Sequence, residues 1–128
     1  MPLLTLTTCL HYLALVPLIR LNRVSRFTRI YANTILVTTF MSILMHSYPN
    51  SNLLCFMYYL FTGLWFTLDY LWSKALNKRI ILELNGLVFL AYTLSTLVPN
   101  YGLAHSVWHI ISASKCFYVS LLIYRYDR

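Results

Sequence analysis

Apolar residues run almost unbroken through five stretches, 3–19, 30–47, 52–72, 80–98 and 103–124, with only short polar breaks between them. Each is close to the roughly 20 residues an α-helix needs to cross the hydrocarbon layer of a bilayer. The pattern predicts an all-α polytopic bundle: one transmembrane helical domain over residues 1–128 with about five spans, none a repeat of another. Residues 3–19 have no positive segment ahead of them and no small-x-small site before Arg20, so they read as a retained first helix rather than a signal peptide.

The breaks alternate in charge. The first carries Arg20, Arg23, Arg26 and Arg29, the third Lys74, Lys78 and Arg79, and the tail Arg125 and Arg128. The second and fourth are uncharged and hold the turn formers Pro49, Asn50, Pro99 and Asn100. Basic loops stay on the inner side of a membrane. The alternation therefore predicts the amino terminus outside and the carboxyl terminus inside. Tyr48, Trp72, Tyr101 and Tyr124, near segment ends, are expected in interfacial aromatic belts.

Composition changes this picture little. The chain is 59% hydrophobic and only 10% charged, and its net charge is +7. Nine of the ten basic residues flank apolar segments, so the charge reads as a topology signal and no nucleic-acid partner is expected. Cys9, Cys55 and Cys116 are odd in number and lack CxxC spacing. They are expected to be small buried apolar residues rather than disulfide partners or zinc ligands.

Candidate chemistry comes from ionisable residues inside the spans, which are costly in lipid and usually face a bundle interior. His46 ends the second stretch and His105 and His109 begin the fifth, at what the topology makes the same outer face. His105 and His109, four apart, share one side of a helix, and Ser42 lies one turn from His46. Three imidazoles from two helices make a candidate tripod for zinc, whose catalytic sites take three protein ligands and a water. Such an ion lowers the pKa of its water toward about 7 and polarises a carbonyl, as amide or ester hydrolysis requires. A haem b held between His46 and a histidine of the last helix is an alternative, although no attachment motif favours it. The plainer alternative is that the histidines bond neighbouring helices or sit at the interface. His11, about 12 Å below the outer face by helical rise, reads as a satisfied interhelical histidine. Asp69, Glu83 and Lys115 are expected to form one structural ion-pair cluster, with Lys115 snorkelling toward the inner end of its helix. Ser112-x-x-Lys115 has the spacing of a serine-lysine nucleophile pair but matches over four residues only.

The string Leu103-Ala-His-Ser-Val-Trp-His-Ile-Ile-Ser-Ala113 resembles the last-helix motif of the superfamily uniting alkaline ceramidases, adiponectin and progestin receptors, and systemic RNA-interference-defective transmembrane proteins. Ser42-x-x-x-His46 looks like its second motif, and His46-Ser-Tyr-Pro-Asn-Ser-Asn52 with Phe56-Met57-Tyr58 is most similar to the last branch. The resemblance covers about a third of the chain. It implies a membrane hydrolase with zinc on His46, His105 and His109, Ser42 near the metal water, and a lipid amide or ester as substrate. The family places an aspartate at the outer start of the third helix, where this chain has Leu53-Leu54. It also has seven helices, against five here, so the expectation is a reduced or degenerate member. Leu68-Asp69-Tyr70 resembles the aspartate motif of some branches but lies at the wrong end of its helix. The competing expectation is a small structural subunit of a larger membrane complex, such as a respiratory or translocation assembly, contacting lipids and other subunits. An endomembrane or the mitochondrial inner membrane is the expected location.

Overall fold

A computed structural model describes residues 2–128, and all of its regular structure is helical. Five helices are long and apolar enough to cross a membrane: α1 Pro2–Ile19, α2 Arg26–Ser47, α3 Asn52–Ala75, α4 Ile80–Leu97 and α5 Tyr101–Asp127. Three of them run two or more residues past the apolar stretches, because hydrogen bonding and caps end a helix while hydropathy marks only where its surface changes. The Ser25 hydroxyl accepts from the Thr28 amide at 3.1 Å, which starts α2 within the arginine-rich break. Ser51 caps α3 and Asn100 caps α5 in the same way. The carboxyl end of α3 closes on Asn77, in the left-handed region at φ 51°. The Lys78 amide donates to the Ser73 carbonyl and that of Asn77 to Lys74, the pairing of a Schellman cap.

α1 is not uniform. Residues Leu10–Ala14 tighten into a 3-10 turn just ahead of Pro17, whose missing N–H and crowded ring break the regular ladder to residue 13. That turn carries His11.

The helices close into a ring in which α5 packs against α1 and α4, α2 against α1 and α3, and α3 against α4. Helix direction alternates, so the ring has an uncharged end, with the breaks after α2 and α4, and a basic end. Toward the basic end Leu18, Tyr31, Ile35, Leu68, Trp72, Ile81, Val119 and Ile123 form one buried apolar cluster, which also encloses Asp69. Toward the uncharged end the interior is polar, with Thr7, Thr8, Thr39, Ser42, His105 and His109 all buried. The outer surface shows large apolar side chains instead, among them Leu6, Leu53, Phe56, Phe89 and Leu97. So many buried polar groups within an apolar outer surface depart from the usual arrangement in water.

Several expectations are corrected. Trp72 is 1% exposed and stacks on Phe27 at 4.5 Å, so it is a core residue rather than part of an interfacial belt. Of the cysteines only Cys116 is buried; Cys9 and Cys55 are partly exposed, and all three are free. Glu83 does not join Asp69 and Lys115. It pairs with Arg79 at 3.6 Å on the surface, because the buried stripe of α4 runs through Ile81, Val88 and Ser95 and Glu83 lies about 200° around the helix from Ile81. Lys115 does not snorkel: it is buried, with its Nζ 2.6 Å from Asp69 Oδ2.

Candidate metal centre

His46, the last turn of α2, meets His105 and His109 of α5 at the uncharged end. One ligating nitrogen from each ring lies within 4.8 Å of the other two. Three points so spaced all lie within about 2.8 Å of a common point, against the roughly 2.0–2.1 Å of a zinc–nitrogen bond. A shift of about 0.7 Å per ring brings them to bonding distance. The ring centroids are 4.7 to 5.3 Å apart and meet edge to face.

The surroundings fix the tautomers of two rings. Thr7 donates its hydroxyl hydrogen to the Leu3 carbonyl at 2.8 Å, and Thr8 donates to Leu4 at 2.7 Å. With those hydrogens used, both oxygens can only accept. His109 Nδ1 lies 3.0 Å from Thr7 Oγ1 and 3.1 Å from Thr8 Oγ1, so it carries the proton and leaves Nε2 as a bare lone pair. Thr8 also approaches Nε2, at 3.4 Å, which makes Thr7 the cleaner acceptor. The same logic holds at His105. Ser95 donates to the Tyr92 carbonyl at 2.7 Å and so accepts from His105 Nδ1 at 3.3 Å. His105 Nε2 is then a buried lone pair, and it has no hydrogen-bond partner. Such an orphan is uncommon in a folded interior, where buried polar atoms are nearly always paired.

His46 differs. It is half-buried, and its Nε2 lies 3.3 Å from His109 Nε2, a long contact that requires His46 to carry the hydrogen there because His109 cannot. Among the described residues its Nδ1 has no side-chain or backbone partner. The donor set fits zinc: all nitrogen, two lone pairs aimed by fixed tautomers, and outer partners of the kind that orient metal-bound histidines.

The residues around the three rings are placed as follows. His11 Nδ1 donates to the Thr8 carbonyl at 2.9 Å, so its Nε2 accepts from the Ser112 hydroxyl at 2.9 Å. Both nitrogens are satisfied, and Ser112 is committed to His11 rather than to Lys115. Ser42 lines, with His109, a cavity of about 40 Å³ that also touches Thr39, Thr62, Ser112 and Lys115. At roughly 10–15 Å³ each it has room for a few waters. Of the three candidate ligands it reaches only His109. Trp108 bonds the Val88 carbonyl at 2.9 Å and fixes α4 to the helix that carries two of the rings.

No carboxylate joins them. Asp69 lies in the other half of the ring, where Lys115 and the Tyr31 hydroxyl, at 2.7 Å, occupy one carboxylate oxygen each. Leu53, at the start of α3, is 69% exposed. Thr7, Thr8 and Ser95 had no role in the sequence reading. The clustered threonines of the first stretch were visible, but nothing local linked them to a ring about a hundred residues away. No known family, curated protein or solved structure matches the chain.

Proposed function

We propose that this chain is an integral membrane protein, amino terminus outside and carboxyl terminus inside, that holds a zinc ion on His46, His105 and His109 and is related to lipid amide or ester hydrolases. The membrane part is supported by five apolar helices with an apolar outer surface and a polar interior. The metal part rests on one observation above the rest: three imidazoles each offer a nitrogen within 4.8 Å of the other two, and two of them have Nδ1–H tethered, which leaves Nε2 bare.

When bound, zinc supplies an activated water and a Lewis acid for a carbonyl. The chain's own contribution is orientation. Thr7, Thr8 and Ser95 hold the rings, and Ser42 offers a hydroxyl beside His109. The carboxylate that would manage the water's proton is missing from this end of the ring, so metal binding stands ahead of turnover.

Metal analysis of the protein purified in mild detergent tests this directly. One zinc per chain is expected, lost in His105→Ala and kept in Ser42→Ala, with cleavage of a lipid amide or ester slowed in the latter. Freshly prepared wild type without zinc would end the hydrolase reading, and a Soret band would replace it with the haem b alternative.

A second reading, a subunit of a larger membrane complex, is favoured by α4. Only 17% of its apolar window is buried within the chain, leaving Leu87, Phe89, Leu90 and Leu94 uncovered. Migration at the size of a single chain in mild detergent, without partners, counts against it.

A further inference from the structure

We infer a second binding site, for the phosphate group of an anionic phospholipid, at the basic end of the ring. Two segments about a hundred residues apart meet there, the connection after α1 and the last turn of α5. Between them is a pocket of about 330 Å³ lined by Arg20, Asn22, Arg23, Tyr124, Asp127 and Arg128. It is distinct from the histidine cluster, which lies at the opposite end of the same helices.

Three guanidiniums share this pocket with one carboxylate, yet none pairs with it. The ion pairs among the described residues are Arg79 with Glu83 and Lys115 with Asp69. Asp127 instead accepts from the Thr28 hydroxyl in a short hydrogen bond. The three arginines of the pocket therefore make no ion pair among the described residues, and they outnumber its one carboxylate. A planar guanidinium offers paired N–H groups that match phosphate oxygens bidentately. Arg20 follows the exposed Ile19, and Tyr124 stands one turn below the end of α5, so apolar surface and aromatic ring adjoin the charges. That is the layout of an interfacial headgroup site, where basic residues are drawn toward an acidic leaflet. Free phosphate shares the chemistry but would make no use of the apolar margin.

The inference rests on the membrane part of the proposed function and not on the zinc part. The test uses full-length protein in nanodiscs of phosphatidylcholine with a minor fraction of phosphatidylglycerol, reading co-purified acidic lipid by native mass spectrometry. Wild type is expected to retain phosphatidylglycerol over phosphatidylcholine. Arg20→Gln/Arg23→Gln should lower that retention at least fivefold, while Lys74→Gln/Lys78→Gln, removing equal charge outside the pocket, should leave it unchanged. Equal losses in both variants, or no lipid preference in wild type, overturn the site. Displacement by millimolar inorganic phosphate overturns the lipid assignment. Circular dichroism checks that each variant keeps its helices. Release of wild type from membranes by alkaline carbonate would instead mark failure of the membrane reading.

Discussion

Neutralising one member of the Asp69–Lys115 pair should cost more than neutralising both. Asp69 and Lys115 side chains are 0% and 5% exposed and 2.6 Å apart. The carboxylate has a second donor in Tyr31, whose oxygen accepts from Trp65 Nε1 at 3.2 Å, so the network is closed on that side. The ammonium also lies 5.5 Å from the Trp65 ring and 5.4 Å from Phe66. Asp69→Asn strands that cation, and Lys115→Met strands the carboxylate with one hydroxyl donor. Removing one partner of a buried pair typically costs about 3–5 kcal/mol, whereas replacing the whole pair by uncharged groups is often near neutral. The double variant keeps an oxygen for Tyr31 and loses no charge balance, so about 0–3 kcal/mol is expected in place of an additive sum of about 6–10. The assay is reversible unfolding in mixed micelles followed by circular dichroism, with zinc content as a second readout. Zinc should not change in the double variant, because the histidines are in the other half of the ring. Single losses below about 1 kcal/mol with an additive double would refute the claim that the pair is desolvated and coupled. Should a single variant not fold at all, recovery in the double still decides the matter.

Two further outcomes follow from local geometry. Thr7→Val/Thr8→Val leaves the buried Nδ1–H of His109 without an acceptor, so zinc affinity measured by competition with a chelator should fall about 10- to 100-fold, while Thr7→Ser/Thr8→Ser stays near wild type. Gly63→Ala should raise stability by about 0.5–1 kcal/mol in the same unfolding assay, since a Cβ there meets nothing within 4 Å and Gly63 lies inside α3.

The helices were legible because twenty apolar residues in a row leave the backbone few other ways to satisfy its hydrogen bonds in lipid. His46, His105 and His109 were legible as a group because depth along an antiparallel helix is a matter of counting. Rotation about the helix axis is not. Glu83 and Trp72 were each assigned to the correct end and given the wrong surroundings, since whether a residue faces outward or inward depends on which neighbours the ring supplies; the expected pairing of Lys115 with Asp69 is present at 2.6 Å. The tautomers were beyond reach for a related reason. Whether His109 offers Nε2 depends on Thr7 and Thr8 spending their hydroxyl hydrogens on α1's own carbonyls, a property of helix geometry together with a contact spanning about a hundred residues.

The three rings are not equivalent, and the difference assigns them separate tasks. His105 and His109 are almost fully buried, each with Nδ1 tethered and Nε2 ready to accept. They form the rigid half of the site, set by α5 and by hydroxyls from α1 and α4. His46 is half-buried, and its hydrogen now lies between the two Nε2 atoms. For His46 to offer Nε2 to an ion, that hydrogen would move to Nδ1, which has no side-chain or backbone partner among the described residues. On the proposed zinc reading, His46 would be the adjustable ligand at the more exposed edge of the site, with His105 and His109 the two preset ligands beyond it.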